Sequence, residues 1–526
     1  MPTFKLDDQD VSFEPGETII SAARKVGKEI PHYCWHPGLS VAANCRMCLV
    51  EIDPAPGQRA MMLDVLDWDA KVGDYIPRKK PKLQPGCQVA AVDGMVVRSD
   101  SSANVLEARK GVQEFLLLNH PVDCPICDQA GECKLQDYWL DHGQFQKRMH
   151  DEPVHKPKAV SFGPTIVYDA ERCVMCTRCI RFMDEVAKDP VLEMRERGNL
   201  NEITVAPGRE LDGHYTFMVD HVCPVGALTT KDFRFKSRVW FMKSHDSVCQ
   251  GCATGCNTHI DVDPRKNTVH RQRPRENMAV NKFWMCDEGV LTYRAAQENR
   301  TSEHLVDGQR VTLDKALKEV KSRFDGVPAN EIGIVLSAQA SLEDNWALLE
   351  FAKSFIGTKH VFYTAASNGY ADDILIAGDK NSNRKGIELL APHAKGLGEL
   401  IQSVAGGVVT RLIVLAGEAD DPAAAAKLAG RVENILYLSS AVNPFVAEAR
   451  GVLFPICNWA ETSGTYVNKN GLAQIAKKAL EPMGSARPGW EVVSQIAAVL
   501  GHTTGWQKLK EVRGKLPAVP ASPAAE

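Results

Sequence analysis

Short apolar stretches alternate with polar turns over residues 1–97, which predicts a small unit of strands and one helix. Residues 4–6 and 11–13 predict a hairpin around a polar turn, and a helix is expected over residues 18–26. Residues 88–98 place an Asp-Gly pair between two apolar stretches, and this pattern predicts a second hairpin. Residues 53–85 are rich in proline, glycine and charge, so we expect a long loop there.

From about residue 301 the apolar pattern changes to strands alternating with helices. A helix is predicted over residues 342–355, and strands are predicted over residues 331–336, 361–363, 412–415 and 435–438. This alternation predicts a parallel sheet covered by helices. The tail from Lys515 is rich in proline and alanine and is expected to be disordered.

The size and charge of the chain exclude some classes of protein. A chain of 526 residues is too long for one ordinary domain. The net charge of -4, from 62 basic and 66 acidic residues, gives no reason to expect nucleic-acid binding. No apolar run approaches the ~20 residues that span a bilayer, and residues 1–10 lack the pattern of a secretory signal. We therefore expect the protein in the cytoplasm or, through a partner, on the cytoplasmic face of a membrane.

The 16 cysteines narrow the function further. Fifteen of them lie before residue 287 in tight groups, which favours metal ligation in a reducing compartment over disulfides. Residues 98–240 are expected to fold around metal, because ligand bonds supply folding energy to such units. Together with one histidine, the cysteines form four candidate ligand sets: the Cys34 set (Cys34, Cys45, Cys48, Cys87), the His120 set (His120, Cys124, Cys127, Cys133), the Cys173 set (Cys173, Cys176, Cys179, Cys223) and the Cys249 set (Cys249, Cys252, Cys256, Cys286).

Spacing favours iron–sulfur clusters at three of the sets. The Cys34 set has gaps of ten, two and 38 residues, which departs from plant-type two-iron ferredoxins only in the first gap. Its three loop cysteines and one remote cysteine predict a [2Fe-2S] cluster, with zinc as the alternative. The Cys173 set crowds three cysteines at two-residue gaps, which suits a [4Fe-4S] cubane better than zinc. The Cys249 set, with gaps of two, three and 29 residues, predicts a second cubane.

The His120 set is ambiguous when taken alone, because one imidazole and three thiolates suit zinc as well as iron. His120 is also open to a simpler interpretation as an ordinary loop histidine. The count favours iron, since the four sets use 15 cysteines and His120 and leave only Cys457. Cys457 is expected to be a buried apolar thiol. The prediction is therefore one [2Fe-2S] and three [4Fe-4S] clusters, about 14 irons per chain.

The order of these sets resembles the large iron–sulfur subunit of respiratory complex I, the G-subunit family of NADH-quinone oxidoreductase. The resemblance extends to about residue 300 and lies in residues 33–37 (YCWHP), 44–51 (NCRMCLVE), 120–127 (HPVDCPIC), 172–179 (RCVMCTRC) and 222–228 (VCPVGAL). The Cys249 set resembles the cluster domain that opens molybdopterin oxidoreductases. Residues 461–468 (ETSGTYVN) and 471–474 (GLAQ) resemble a motif of the molybdopterin fold.

The resemblance implies a multidomain chain with α+β and α/β parts. Five domains are expected: a β-grasp [2Fe-2S] ferredoxin-type domain over residues 1–97, a [4Fe-4S] domain with His(Cys)3 ligation over 98–145, a [4Fe-4S] ferredoxin-like domain over 146–240, a [4Fe-4S] domain of the Mo/W-bis-MGD type over 241–300, and a truncated α/β molybdopterin-oxidoreductase-like domain over 301–526. No molybdopterin is expected, because the chain is short for the full family. In addition, Asp287 and Glu288 follow Cys286, where molybdopterin relatives commonly carry a basic residue.

The resemblance also implies a function in NADH:quinone oxidoreductase. Electrons are expected to pass from an FMN-containing NADH-oxidising subunit to the [2Fe-2S] cluster, then the Cys173 cubane, then the His120 cubane. A smaller [4Fe-4S] subunit takes them on towards quinone, and the whole complex couples this transfer to proton translocation. The Cys249 cluster is expected to lie off the route. The sequence shows no dinucleotide-binding glycine motif and no phosphate loop, so the substrate sites are expected on partner subunits, among them other peripheral and membrane subunits of a bacterial complex.

Three alternatives remain at the level of sequence. The chain could serve a soluble NAD-linked hydrogenase or a formate dehydrogenase as its electron-transfer subunit, since these are built from the same modules. A catalytic molybdenum enzyme is disfavoured for the reasons given above. The third alternative belongs to another functional class: a structural protein without redox function, whose cysteines bind zinc. An iron count distinguishes it from an electron carrier.

Overall fold

The structure is a computed structural model that describes residues 1–146, 148–415, 417, 419, 421–442 and 450–522. It divides into two compact units, Met1–Val239 and Trp240–Glu526, named below the N-terminal and the C-terminal unit. The finer division into five domains stays a prediction.

A five-stranded sheet and one helix form the start of the N-terminal unit. The predicted hairpin is present, with Thr3–Leu6 antiparallel to Gln9–Ser12. The predicted helix is Ile19–Lys25, and it buries Ile19, Ile20, Ala22 and Ala23. The strands lie in the order Gln9–Ser12, Thr3–Leu6, Val96–Arg98, Leu49–Asp53, Gln84–Pro85. This small mixed sheet with its packed helix confirms the predicted ferredoxin-type fold.

The hairpin predicted over residues 88–98 is wrong. The turn at Gly94, where φ is +74°, leads into the strand Val96–Arg98. That strand pairs with Thr3–Leu6 in parallel and with Leu49–Asp53 antiparallel, so its partners are distant in sequence. The residues before the turn bind the helix instead, since the Ile19 amide donates to the Val89 carbonyl oxygen at 3.0 Å.

The long loop predicted over residues 53–85 is also wrong in part. Strands Met62–Asp69 and Asp74–Pro81 form an antiparallel ribbon that pairs with no other strand among the described residues. Both faces of the ribbon are largely exposed, so its sequence lacks the one-sided apolar alternation that predicts a strand. Cross-strand ion pairs such as Lys80–Asp67, at 2.8 Å, support it.

The rest of the N-terminal unit consists of short elements. Its further helices are Ala103–Leu117, Lys134–His142, Arg178–Arg181 and Met218–Val222. Its further strands are Val160–Ser161, Ile166–Tyr168, Leu192–Arg195, Glu202–Val205 and Leu228–Thr230. The cysteine-dense region is thus made of loops between small sheets and short helices.

The C-terminal unit begins with an antiparallel sheet of three strands, Lys243–Val248, Asn257–Asp263 and Thr268–Pro274. A seven-stranded mixed sheet follows, in the order Gln309–Val311, His304–Val306, Val452–Pro455, Asn434–Ser439, Arg411–Leu415, Ile332–Ser337, Val361–Thr364. The last five of these strands are parallel, which confirms the four predicted strands and the α/β class. The strand Val452–Pro455 and the two antiparallel edge strands were not predicted.

Helices cover both faces of this sheet. Alternate residues of one strand point to opposite faces, so that Ile334 and Leu336 pack in one apolar cluster and Val335 packs in another. The predicted helix is Leu342–Phe351, and it continues as a wider π-helical turn over Ala352–Ile356. The remaining α-helices among the described residues of this unit are Asp287–Leu291, Leu313–Phe324, Arg384–Leu390, Leu397–Ala405, Pro422–Ala429, Gly489–Val499 and Leu509–Arg513.

The tail is better ordered than predicted. Strands Gly464–Val467 and Ala473–Ala476 form a hairpin, and Ala521 makes a parallel bridge with Ala473. Ser522 is buried, and its hydroxyl accepts a hydrogen bond from the Asn277 amide at 2.6 Å. These contacts place the chain up to Ser522, and residues 523–526 lie outside the described residues.

Candidate iron–sulfur sites

The Cys34 set converges at one end of the N-terminal sheet. Cys48 directly precedes the strand Leu49–Asp53, and the pairing of Leu49 with Pro85 brings Cys87 to the same end. The Gly86 amide donates to the Cys48 carbonyl oxygen at 2.8 Å, which ties the two ligand segments together. Cys34, Cys48 and Cys87 are fully buried. The remote Cys87 therefore lies near Cys48 of the loop, and the assignment of the four cysteines to one cluster stays a prediction.

Hydrogen bonds among the thiols of the Cys34 set lower the pKa of two cysteines and raise the pKa of the other two. Bonds from Cys45 and Cys87 hold the pKa of Cys34 at about 2, and a bond from Cys87 also lowers the pKa of Cys48. The same bonds, together with burial, raise the pKa of Cys45 and of Cys87. Four thiolates can share this site only with added positive charge, which is what two ferric or ferrous ions supply.

The Cys173 set surrounds a single cavity that Tyr168, Ile203 and Leu228 also line. Cys179 lies on the helix Arg178–Arg181, and Cys223 ends the helix Met218–Val222. Burial raises the pKa of Cys173 to about 11 and also raises that of Cys176, Cys179 and Cys223. Buried thiols that line one cavity and cannot ionise alone fit a group that brings its own positive charge.

The four residues of the His120 set line one cavity of about 580 Å³. Burial, followed by the nearby Arg172 charge, lowers the pKa of His120 to about 4, so the imidazole is neutral near pH 7 and able to ligate. Gly226 closes the wall beside Cys127: a Cβ at this position would lie 2.2 Å from the Cys127 Sγ. Only glycine, which has no Cβ, leaves room for the Cys127 sulfur at this position.

The Cys249 set belongs to the C-terminal unit. Cys249 and Cys256 flank the turn between strands Lys243–Val248 and Asn257–Asp263, where the Cys249 amide donates to the Cys256 carbonyl oxygen at 2.8 Å. Cys286 precedes the helix Asp287–Leu291. Burial, followed by the charge of Cys252, raises the pKa of Cys249 to about 12.

A glycine also shapes the Cys249 set. A Cβ on Gly289 would lie 3.2 Å from the Cys249 Sγ and 3.3 Å from the Cys286 Sγ. These distances are shorter than ordinary van der Waals contacts. Glycine at position 289 therefore leaves room for the two sulfurs, because it has no Cβ. Sequence spacing points to the cysteines and carries no sign of this glycine's role.

Backbone amides aimed at sulfur are features that sequence reasoning missed. Left-handed backbone at Arg46, Met175 and Thr177, with φ of 60°, 51° and 61°, turns the peptide planes inside the ligand loops. Amides donate to ligand sulfurs in the Cys34, Cys173 and Cys249 sets: Tyr33 to Cys45 at 3.5 Å, Met175 to Cys173 at 3.4 Å, Gly251 to Cys249 at 3.4 Å and Gly289 to Cys286 at 3.4 Å. Such bonds stabilise negative charge on sulfur and so raise a cluster's potential.

Three sets of the N-terminal unit are neighbours. The loop of the Cys34 set contacts the loop of the Cys173 set, where the Asn44 side-chain amide donates to the Met175 carbonyl oxygen at 3.1 Å. The Cys173 and His120 sets are joined by an ion pair between Arg172 and Asp123, at 2.8 Å. The ring of Tyr33 lies near both Cys45 and Cys133, whose charges act with burial to raise its pKa.

Two further observations concern metal and membrane. Within the described residues, no three His, Cys, Asp or Glu side chains meet the geometry of a site for one metal ion. Among the same residues, none of the helices has the length and apolar character that crossing a membrane requires. The predicted leftover thiol, Cys457, is buried in the C-terminal unit.

Four family descriptions match parts of this chain. The description "2Fe-2S iron-sulfur cluster binding domain" matches residues 1–67, and "NADH-ubiquinone oxidoreductase-G iron-sulfur binding region" matches residues 109–148. The description "NADH-quinone oxidoreductase subunit 3, ferredoxin-like domain" matches residues 163–229, and "Molybdopterin oxidoreductase" matches residues 446–499. The fold and the cysteine sets thus define an iron–sulfur protein with 2Fe-2S and 4Fe-4S binding domains and part of a molybdopterin oxidoreductase domain.

Relatives from several bacteria share much of the sequence. The G subunit of NADH-quinone oxidoreductase from Streptomyces coelicolor is 34% identical over 69% of this chain and 41% of its own length. Subunit 3 of the Thermus thermophilus enzyme is 34% identical over 69% of this chain and 47% of its own. The G subunit from Rickettsia conorii is 27% identical over 98% of this chain and 90% of its own. The chain belongs to the G-subunit family of NADH-quinone oxidoreductase.

The relatives differ in length from this chain. The chain spans 41% and 47% of the G subunits of S. coelicolor and Rickettsia bellii. Among solved structures, a chain from a crystal structure of NAD+-reducing [NiFe]-hydrogenase in the H2-reduced state matches 45% of this chain and 91% of its own, with 28% identity and a TM-score of 0.36.

Proposed function

We propose that this chain is the iron–sulfur electron-transfer subunit of an NADH:quinone oxidoreductase. The observation that carries this proposal is the convergence of four cysteine-rich sets in a chain of the G-subunit family. In the proposal one [2Fe-2S] cluster and three [4Fe-4S] clusters are held, in set order, by Cys34, Cys45, Cys48, Cys87; His120, Cys124, Cys127, Cys133; Cys173, Cys176, Cys179, Cys223; and Cys249, Cys252, Cys256, Cys286.

The chain's own residues hold and tune these groups. Iron–sulfur clusters, when bound, accept and release single electrons, whereas NADH gives up two electrons as a hydride to a flavin. Burial of the cysteines keeps water away from the sulfurs. The backbone amides of residues such as Met175 and Gly251 stabilise negative charge on them. No residue of this chain is assigned to bond making or breaking.

The contacts between the sets support an order of neighbouring sites along which electrons could pass. The Asn44–Met175 contact makes the Cys173 set a neighbour of the Cys34 set, and the Arg172–Asp123 pair makes the His120 set the next neighbour. We propose this order, with electrons entering from an FMN-containing NADH-oxidising subunit and leaving to a smaller [4Fe-4S] subunit. The Cys249 set, in the other unit, lies off this route in the proposal, and the C-terminal sheet holds no molybdopterin.

The proposal places the chain in a multisubunit complex on the cytoplasmic side of a bacterial membrane. Peripheral and membrane subunits complete the complex, which moves electrons to quinone and translocates protons. The rival assembly is a soluble NAD-linked hydrogenase or formate dehydrogenase. The relatives described above carry the name of the quinone reductase, which favours the main proposal.

An anaerobic purification of the full chain from its native host tests the proposal directly. We expect about 14 irons per chain, visible absorption from iron–sulfur charge transfer, and EPR signals of one two-iron and three four-iron clusters. A colourless protein that binds only zinc would refute it. The co-purifying proteins decide the assembly: a flavin subunit together with membrane proteins supports the quinone reductase, and a hydrogenase large subunit supports the rival.

The variant His120→Cys tests the proposed imidazole ligand. A thiolate in place of a neutral imidazole adds negative charge to the cluster, so we expect full iron content and a lower potential for that cubane alone. Redox-titrated EPR measures this shift, and the other three clusters of the same protein serve as the internal control. An unshifted potential would show that His120 does not bind the cluster.

A further inference from the structure

Arg178 is a buried cation between two ligand sets of the N-terminal unit. It follows Thr177 in the ligand loop of the Cys173 set and precedes Cys179. Its side chain extends to the other set: one guanidinium nitrogen, Nη2, donates to the Trp35 carbonyl oxygen at 2.5 Å, directly after Cys34. The second, Nη1, donates to the Val222 carbonyl oxygen at 3.3 Å, directly before Cys223.

Among the described residues, three of the four strongest charge effects that favour the charged form of Arg178 come from cysteine sulfurs. The residue is 9% exposed, and its Nε has no hydrogen-bond partner within the part of the chain that the structure describes. Burial lowers the pKa of Arg178, and the largest effects that oppose this come from Cys176 and Cys223, then from Tyr138 and Cys34. Burial raises the pKa of Tyr138, so this phenol is neutral near pH 7. A buried ion is destabilising unless opposite charge compensates it, and here sulfurs of the two sets are placed to do so.

We propose that Arg178 is a shared counter-charge that raises the reduction potentials of the clusters in the Cys34 and Cys173 sets together. This inference rests on the proposed clusters and adds a residue that sets their potentials. Reduction adds one negative charge to a cluster, and a buried cation nearby stabilises that added charge. Because the same guanidinium bonds to backbone beside both sets, it raises both potentials and changes the difference between them less than a cation beside one set alone would.

Arg181 on the same helix provides a natural comparison. Its guanidinium donates to the Cys34, Ser40 and Cys176 carbonyl oxygens, so it also joins the two loops. Arg181 is only half-buried, however, and water screens its charge. The two arginines therefore share a linking role and differ in how strongly their charge acts on the clusters.

The experiment uses the full chain with its clusters and compares Arg178→Gln, Arg178→Lys and Arg181→Gln. Glutamine removes the charge and keeps hydrogen-bond donors, whereas lysine keeps the charge and loses the forked shape. Iron content is measured first, and redox-titrated EPR then gives the potentials of both clusters. The iron count of the parent chain tests the proposed clusters independently of what the variants do.

For Arg178→Gln we expect the one-electron reduction equilibrium of both clusters to become less favourable by at least tenfold. This corresponds to a fall of about 59 mV in each potential. Arg178→Lys is expected to stay near the parent values, and Arg181→Gln to shift less than Arg178→Gln. A potential that stays unchanged at either cluster in Arg178→Gln overturns the shared role, as does an equal fall in Arg178→Lys. If Arg178→Gln loses its iron, retention by Arg178→Lys supports the counter-charge, and loss from both variants overturns it.

Discussion

Replacing Gly226 by alanine is expected to remove the cluster of the His120 set and to leave the other three in place. The added Cβ would lie 2.2 Å from the Cys127 Sγ and 3.0 Å from the Cβ of Gln129. The sulfur would have to leave its position, so the site would keep only three of its four proposed ligands and is expected to lose its cluster. We expect iron content to fall by about four atoms per chain and one four-iron EPR signal to vanish.

The matched control is Gly111→Ala in the helix Ala103–Leu117. A Cβ at Gly111 meets nothing within 4 Å, and alanine in the interior of a helix is more favourable than glycine by about 1 kcal/mol. This variant should therefore keep all its iron and lose no stability. If Gly226→Ala retains the parent iron content and EPR spectrum, the close packing of Gly226 on Cys127 does not support the site.

The second large effect is expected in the C-terminal unit, where Glu461→Ala should destabilise the fold by about 3–5 kcal/mol. Glu461 and Arg300 form a two-pronged ion pair, with distances of 2.9 and 2.6 Å, and their side chains are 2% and 3% exposed. Glu461 also accepts the backbone amides of Asn458 and Met483 at 3.0 Å. Its removal leaves a buried guanidinium without its carboxylate and two amides without acceptors.

Hydrogen exchange read by mass spectrometry on peptides of the seven-stranded sheet measures this loss within the intact chain. Glu481→Ala is the control, since its pair with Lys478 is exposed and should contribute less than about 1 kcal/mol. Equal protection factors in Glu461→Ala and the parent chain would show that the pair contributes nothing to the fold.

Local spacing was sufficient to group the cysteines into the proposed ligand sets. Three cysteines separated by two or three residues must lie on one turn, so the groupings around Cys173 and Cys249 follow from the covalent chain. The parallel strands of the C-terminal unit were also predictable, because a strand buried on both faces is a nearly continuous apolar run, as in Ile332–Ser337 up to its last residue. The hairpin Met62–Asp69 with Asp74–Pro81 was missed because no face of it is buried.

What spacing could not predict are groups that act on a cluster from distant parts of the chain. The parallel partner of Val96–Arg98 is about 90 residues away in sequence, and pairing between remote strands leaves no local pattern. Gly226 matters only because its backbone packs on Cys127, and Arg178 only because folding brings the Trp35 carbonyl oxygen within its reach. The left-handed turns in the loop of the Cys173 set are likewise not readable from residue type, since glycine occupies neither position.

The types and grouping of the donor atoms are properties of the covalent chain, because sulfur and imidazole are chosen by residue type and short gaps limit how far apart they can lie. The potential of each proposed site is a different matter. It depends on buried charge, on amides aimed at sulfur and on which sets are neighbours, and these arise only when segments far apart in sequence pack together and exclude water.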